Sequence, residues 1–441
     1  MAPSRPSYDF GPFRLDAGSR RLLRDGEPLS LPDRQLEILL AFVDQPGVVL
    51  SKDTLMTRAW PDVTVGDNSL EQAVSALRRL LGPGAIETLA RRGYRFGLPV
   101  TRTTARADAD ALEALLRPHR ALLEGRTALE SLDREAVGRA RVVFEHLVRE
   151  TPEYAPGHLG LANALAFRFE ASRAGCEPDT PALAAAIDHA RQACALDPGA
   201  GEAWATLAFV LHRAGASIDA VAAGRRAIAL EPDNWRHHVR LAYVAWGEER
   251  LRAARRALTL LPGLALAHWL AATVLVARQS LEEAERELVA GAAAQDRASS
   301  TFGAVGLHLL LGLVRLARHD TPGGIAELER ELAFADSGHL YAREACANTW
   351  CALGHVRRRA GDGAGARDAF THALALVPGF PPARLALDGT AARAPEQVLH
   401  ALANAAPGPD DWMLPVDPAF DVTENPDVWA DVLALLRMRA S

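Results

Sequence analysis

"DNSLEQAVSALRRLLG", residues 67–82, decides the fold. At 100° per residue with Leu70 as zero, Val74, Leu77 and Leu81 fall within about 40° of it, the single apolar stripe of an amphipathic helix. Asn68, Gln72, Ser75 and Arg79 fall on the opposite side with Ala76 beside them, and this face has almost no acid. Asp67 or Asn68 can cap the helix start, and Gly82-Pro83-Gly84 stops it. Most exposed helix faces touch only water, so the flanking sequence has to say whether this strip has a ligand.

Upstream, "YDFGPFRLDAGSRRLLRDGEPLSL" alternates apolar and polar residues (Phe10, Phe13, Leu15; Leu22; Leu29, Leu31) between Gly and Asp-Gly turn signals. That predicts a small antiparallel sheet. Pro32 then opens a helix carrying Leu36, Ile38, Leu39, Leu40 and Phe42, which Pro46-Gly47 ends. "SKDTLMTRAW" offers Ser51 as an N-cap and Leu55, Met56 and Trp60 as an inward face. Downstream, "IETLARRGYRFGLPV" alternates around Arg91-Arg92-Gly93 and predicts a hairpin with a basic tip.

A sheet, three helices and a basic hairpin, in that order, make a winged helix-turn-helix. Residues 8–100 resemble the OmpR/PhoB-type DNA-binding domain, above all in "PGVVLSKDTLMTRAWPDV", "NSLEQAVSALRRLLG" and "RRGYRF". The resemblance implies a third helix in the major groove of double-stranded DNA, a hairpin on the adjacent minor groove or backbone, and a loop before the third helix that can contact RNA polymerase. Carried over by position, the groove face becomes Asn68, Ser69, Gln72, Ala73 and Ala76, with phosphate contacts at Ser69 and Arg78, and Ser75 and Arg79 of the same exposed face join the DNA-binding candidates. The wing becomes Arg91, Arg92, Tyr94 and Arg95. Where many family members place Arg or Lys on the groove face, this helix offers Gln72, Asn68 and small residues, a chemistry suited to A·T-containing sites.

Charge sharpens the expectation. Residues 1–100 hold 13 Arg or Lys against 12 Asp or Glu, and the rest of the chain 36 against 43, which together give the net −6. So weak a basic footprint predicts salt-sensitive binding by one copy, and therefore two copies on repeated half-sites. A homo-oligomer is expected.

The remaining residues carry a repeat. "ALDP" ends at Pro198 and "ALEP" at Pro232, 34 residues apart, with related endings at Pro152, Pro262 and Pro378. Small or aromatic residues recur 12, 8 and 5 positions before these prolines, and a bulky ring follows about six after, such as Trp204 and His238. This resembles the tetratricopeptide repeat. The interval from Pro152 to Pro198 is 46 residues and contains an insertion in "FEASRAGCEPDTPAL", whereas the interval from Pro232 to Pro262 is 30 and lacks residues at "WGEERL". Residues 299–340 fit the consensus poorly.

The expected fold is mainly α: a winged helix-turn-helix at 1–100, a linker at 101–112, a right-handed helical solenoid of five to seven pairs within 113–390, and an extension with a capping helix at 391–441. That final helix would use Val428, Val432, Leu435 and Leu436, against the last repeat or in a dimer. Stacking leaves a concave surface on which consensus positions place Asn163, Phe167, Phe209, His212, Tyr243, Trp246, Trp269, His355 and Arg358. Such a groove suits a peptide or an apolar small molecule, unless those rings simply pack between helices.

Four cysteines form no disulfide framework, no secretory signal opens the chain, and the most apolar run is broken by His308 and Arg315 before it could span a bilayer, so a cytoplasmic protein with no membrane partner is expected. Cys351 and His355 share a helix face, but Cys346 and His339 lack zinc spacing, and no metal or cofactor is expected. Phosphate-loop, dinucleotide, nucleophile-elbow and metalloprotease motifs are missing, so no enzyme is expected. With only seven residues before Tyr8, no phosphoacceptor domain is expected there. The order of modules is similar to HilA-like and CadC-like regulators and to the antibiotic regulatory proteins of actinomycetes, which makes a DNA-binding transcriptional regulator the expected function. The alternative is a repeat scaffold for protein partners, with the winged helix as a docking module.

Overall fold

A computed structural model describes residues 6–61, 67–103, 105–173, 177–297, 304–389, 393–405 and 411–441. The chain divides into two compact units, residues 1–117 and 118–441.

In the first unit, β1 (Ser7–Phe10), β2 (Phe13–Asp16), β3 (Arg21–Arg24) and β4 (Glu27–Leu29) form successive hairpins. Tyr8, Leu15, Leu22 and Leu29 lie opposite one another across the four strands, and the first three are almost fully buried. The Asp-Gly signal is a two-residue turn with Asp25 and Gly26 both at positive φ, the geometry that matches strand twist. α1 (Asp33–Asp44), β5 (Val49–Leu50), α2 (Lys52–Ala59), α3 (Asp67–Leu81), β6 (Ile86–Leu89) and β7 (Gly93–Phe96) follow. Ser51 caps α2 by accepting the Thr54 N–H at 3.1 Å. β5, β7 and β6 make a second sheet, and β8 (Thr101–Thr103) pairs with β1.

The expected linker at 101–112 is therefore corrected. Its first three residues close the N-terminal sheet, and α4 (Ala105–Glu130) runs through the remainder with Pro118 inside it. "TRTTARADADAL" lacks apolar periodicity, yet it contains mostly good helix formers after Thr104 and β-branched residues before it.

The second unit is helical throughout its described residues. After α5 (Arg134–Glu150) come six hairpin pairs: α6 (Ala155–Ser172) with α7 (Thr180–Leu196), α8 (Gly201–Arg213) with α9 (Ser217–Leu230), and α10 (Trp235–Val244) with α11 (Gly247–Leu260). The series continues with α12 (Ala265–Ala277) and α13 (Leu281–Arg297), α14 (Leu307–Ala317) and α15 (Thr321–Leu332), and α16 (Ala342–Arg359) and α17 (Gly363–Leu376). The short interval before Pro262 is a connection of only Ala245 and Trp246 between α10 and α11.

After three of the prolines, Pro152, Pro198 and Pro232, the ring six residues on has a job. His158 Nε2 donates to the Pro152 carbonyl at 2.9 Å, Trp204 Nε1 to that of Pro198 at 3.0 Å, and His238 Nε2 to that of Pro232 at 2.8 Å. Each ties its helix to the turn before it. A second bond crosses the pair: His268 to Glu287 and His308 to Glu327, both 19 positions apart and both 2.7 Å. The described part of the poorly fitting segment, residues 304–340, thus holds a true repeat in register with its neighbour. Its consensus is obscured because polar His308, Glu327 and Glu331 occupy buried positions.

α18 (Pro381–Leu387) and α19 (Pro395–Asn404) follow, and α20 (Ala430–Ala440) does not cap the last repeat. It folds back on α11 and α12, where Arg278 Nε donates to the Ala440 carbonyl at 2.9 Å and Gln279 Nε2 to that of Leu433 at 2.7 Å. Val432 and Leu436 are buried on its other side, in a cluster with Val398 and Leu402 of α19 and Trp429, with Leu435 partly buried, while Val428 lies before the helix and is exposed.

Candidate nucleic-acid interface

α3 rests on α1, α2 and β6 through Leu70, Val74, Leu77 and Leu81, all 9% exposed or less. Asn68, Gln72, Ser75 and Arg79 are exposed on its other side, and Ser69 and Ala76 are half-buried at its edges. Ala73 is corrected: it sits about 60° from Leu70 on the helical wheel, close enough to the stripe to be buried in the core. The loop expected to meet RNA polymerase, residues 62–66, lies outside the described residues.

The wing is held close to α3. Gly93 adopts φ +121°, and a Cβ there would lie 2.0 Å from the Leu50 carbonyl oxygen, so only glycine lets β7 approach β5. Arg91 at φ +60° and Arg92 form the turn, both exposed, and Arg92 N–H donates to the Leu89 carbonyl at 3.0 Å. Tyr94 is a second correction. On a strand, alternate residues face opposite ways, and Tyr94 points inward, 4% exposed, where it packs in the core and cannot touch a duplex.

Two predicted cations are engaged within the protein. Arg95 lies directly opposite Glu87 and pairs with it at 2.5 Å. Arg78 donates to the Ile86 carbonyl at 2.8 Å and to Thr88 Oγ1 at 2.6 Å, with its guanidinium over the Tyr94 ring. It joins α3 to the wing. Lys52 pairs with Glu71 at 2.9 Å and neutralises the one acid of the helix middle. Among the described residues, Arg79, Arg91 and Arg92 are left with no carboxylate within ion-pair distance. The exposed chemistry is therefore amide, hydroxyl and uncompensated guanidinium, the combination that meets base edges and phosphates.

In the second unit, the residues predicted for a groove mostly pack against protein. Phe167 and Phe209 meet edge to face at 6.5 Å, Phe209 and Tyr243 at 5.5 Å, and both phenylalanines are buried. Asn163 Nδ2 donates to the Leu159 carbonyl and to Thr206 Oγ1, both at 3.1 Å. Trp269 is covered by Trp412 of the C-terminal extension at 6.0 Å, and Trp246 by the guanidinium of Arg250 at 4.6 Å. His212 Nδ1 and Trp246 Nε1 are buried and have no hydrogen-bond partner among the described residues. Burial and neighbouring Arg213 and Arg250 bring His212 down to about 4.

Sequence reading missed a clasp. Arg213 pairs with Glu170 at 2.7 Å, Arg173 with Glu170 at 3.2 Å and with Glu344 at 2.9 Å, while the Arg134 N–H donates to the Gly338 carbonyl at 3.0 Å. These bonds join the start of the repeats to the α15–α16 connection. No local signal marks partners 171 positions apart. His355 and Arg358 do share a cavity of about 290 Å³. A larger open one of about 610 Å³ beside His268 is lined by Glu282, Glu285 and Arg286, whose charges are already paired nearby. No group of three metal-ligating side chains occurs among the described residues, and none of their helices is long and apolar enough to cross a membrane.

Comparison with known proteins agrees with the first unit's geometry. Residues 26–96 match the family "Transcriptional regulatory protein, C terminal". The transcriptional regulator HilA of Salmonella typhimurium is 36% identical over 101 residues, 22% of this chain and 18% of HilA. The transcriptional activator CadC of Escherichia coli is 29% identical over 102 residues, 22% of this chain and 20% of CadC. The chain thus matches about a fifth of the length of either relative. An IFIT1 monomeric mutant solved with m7Gppp-AAAA shares the helical-repeat fold alone, at 14% identity and TM-score 0.52, over 88% of this chain and 84% of that one. The chain carries an OmpR/PhoB-type domain of the transcriptional-regulator family, followed by helical repeats of the tetratricopeptide kind.

Proposed function

We propose that this protein is a sequence-specific DNA-binding transcriptional regulator whose repeat domain receives a ligand or a protein partner. The observation that carries the reading is the pairing of a core-backed helix, exposing Asn68, Gln72, Ser75 and Arg79, with a glycine-hinged turn that exposes Arg91 and Arg92. Gln72 and Asn68 would hydrogen-bond base edges, adenine best of all, and Arg79, Arg91 and Arg92 would neutralise phosphates. Three uncompensated arginines give one copy modest, salt-sensitive affinity, so two copies on adjacent half-sites are part of the proposal. RNA polymerase is the further partner through the loop that precedes α3.

The test is selection of genomic fragments by the purified full chain at fixed salt, followed by footprinting. Protection over a direct repeat or palindrome, abolished when Arg91 and Arg92 are both changed to Ala, supports the reading. Fragment recovery no better than bulk DNA, at low salt as well as physiological salt, contradicts it.

A further inference from the structure

The cavity of about 290 Å³ lies in the second unit, between the end of α16, the start of α19 and the segment from Pro418 to Trp429. Its floor is His355, a side chain 7% exposed whose ring packs edge-on against Phe370 at 5.1 Å. Arg358 donates to His355 Nδ1 at 2.7 Å. An imidazole nitrogen that accepts carries no proton, so the ring's hydrogen sits on Nε2. No acceptor among the described residues takes that N–H.

Charge in the lining is unbalanced. Arg359 pairs with Glu424 at 3.2 Å and Arg393 with Asp411 at 2.8 Å, and neither of those acids lines the cavity. Asp421 does line it, but its oxygens accept from Trp429 Nε1 and Asn425 Nδ2, both at 2.8 Å. Arg358 has no carboxylate within ion-pair distance among the described residues. The N-cap Ala394 and first residue Pro395 of α19 add the positive end of a helix, and Phe420 supplies an aromatic wall set edge-to-face on Trp429 at 5.4 Å. A planar guanidinium, an imidazole N–H donor and an aromatic wall in so small a space match one chemistry.

We propose that this cavity binds a small aromatic carboxylate, held by Arg358 and His355 Nε2–H with its ring against Phe420. The inference rests on the reading that the repeat domain receives a ligand, and it names the class of that ligand. A planar fork and a planar carboxylate complement each other, whereas a phosphate has no ring to lay against Phe420.

The test uses the full chain at constant ionic strength, with benzoate, benzamide and inorganic phosphate as probes and thermal stabilisation as readout. Expected are saturable stabilisation by benzoate, none by benzamide, weaker stabilisation by phosphate, and at least a tenfold weaker benzoate response in Arg358→Gln. The response is read as the shift from each variant's own unliganded melting temperature, and His355→Phe, which keeps a ring on Phe370, should also lose about tenfold. Absence of benzoate stabilisation, equal effects of benzamide, tighter phosphate, or an unchanged Arg358→Gln response each overturns the assignment. Benzoate binding does not involve DNA. A footprint without benzoate binding would sink this inference alone, and benzoate binding without a footprint would sink the regulator reading alone.

Discussion

Gly93 shows how one atom governs the wing. Replacing it with Ala forces a Cβ into the Leu50 carbonyl at a φ that L-residues rarely adopt, and should cost roughly 2–4 kcal/mol. Hydrogen exchange of the peptides covering residues 86–96 should accelerate in Gly93→Ala, and DNA protection should vanish with it; unchanged exchange would refute the argument. Arg78 and the pair Arg91 and Arg92 should separate by salt dependence. Changing Arg91 and Arg92 together removes two phosphate contacts and should lower the slope of log K against log salt by about 2. Arg78→Met releases α3 from the wing and should weaken binding with little change in slope, because the donors of Arg78 already serve Ile86 and Thr88. The exposed positions of α3 could be read from helical spacing. The fates of Tyr94, Arg95 and Arg78 could not, because each is decided by the strand or residue facing it, Leu50, Glu87 and Thr88 respectively.

Elements of the repeat are legible for a physical reason. Each pair needs small residues where its helices meet, so alanine and glycine recur at fixed distances from the proline, as Gly354 does where a Cβ would strike the Phe370 ring. The ring-to-carbonyl bond explains the bulky residue six positions after it. Trp204→Phe keeps most of the packing and deletes that bond, so it should destabilise the repeats by about 0.5–1.5 kcal/mol in denaturant titration, and no change would show the bond to be ornamental. What the period could not show was which rings line a groove and which fill it. Phe167, Phe209 and Trp269 satisfy the consensus for a concave surface, but neighbouring repeats and the returning C-terminal extension cover them. That extension has no repeat partner in the sequence, so its docking site on α11 and α12 had no signal beyond amphipathicity.

At the scale of the molecule, the second unit departs from a linear stack. Solenoids with nearest-neighbour contacts alone fray from their ends, whereas the Arg173–Glu344 pair and the bond from Arg134 to Gly338 join distant repeats. Arg173→Ala combined with Glu344→Ala should therefore broaden the unfolding transition of the repeats, seen as a lower denaturant dependence, while a transition of unchanged sharpness would deny the clasp a role. Stability should also fall in acid. Burial, with nearby arginines, brings His212 and His355 each to about 4, below the ordinary 6.5. A lowered histidine stays neutral in the folded chain while its unfolded counterpart takes up a proton, so stability is full above about 6.5 and declines as pH falls from there toward 4. The two together imply a loss of several kcal/mol, on the order of 1.4 kcal/mol per pH unit per group. The melting temperature of the repeats should drop between pH 7 and pH 4.5, and less so in His355→Asn.

The claim on which the account turns is that α3 and the arginine-tipped wing grip duplex DNA together. Footprinting of selected fragments across a salt series tests it most directly, comparing the native chain with Gln72→Ala and with Arg91→Ala/Arg92→Ala. The account predicts a bounded protected site, altered sequence preference with an unchanged salt slope for Gln72→Ala, and lost protection with a shallower slope for the arginine variant. Protection that neither variant alters, or no bounded site at any salt, would contradict it.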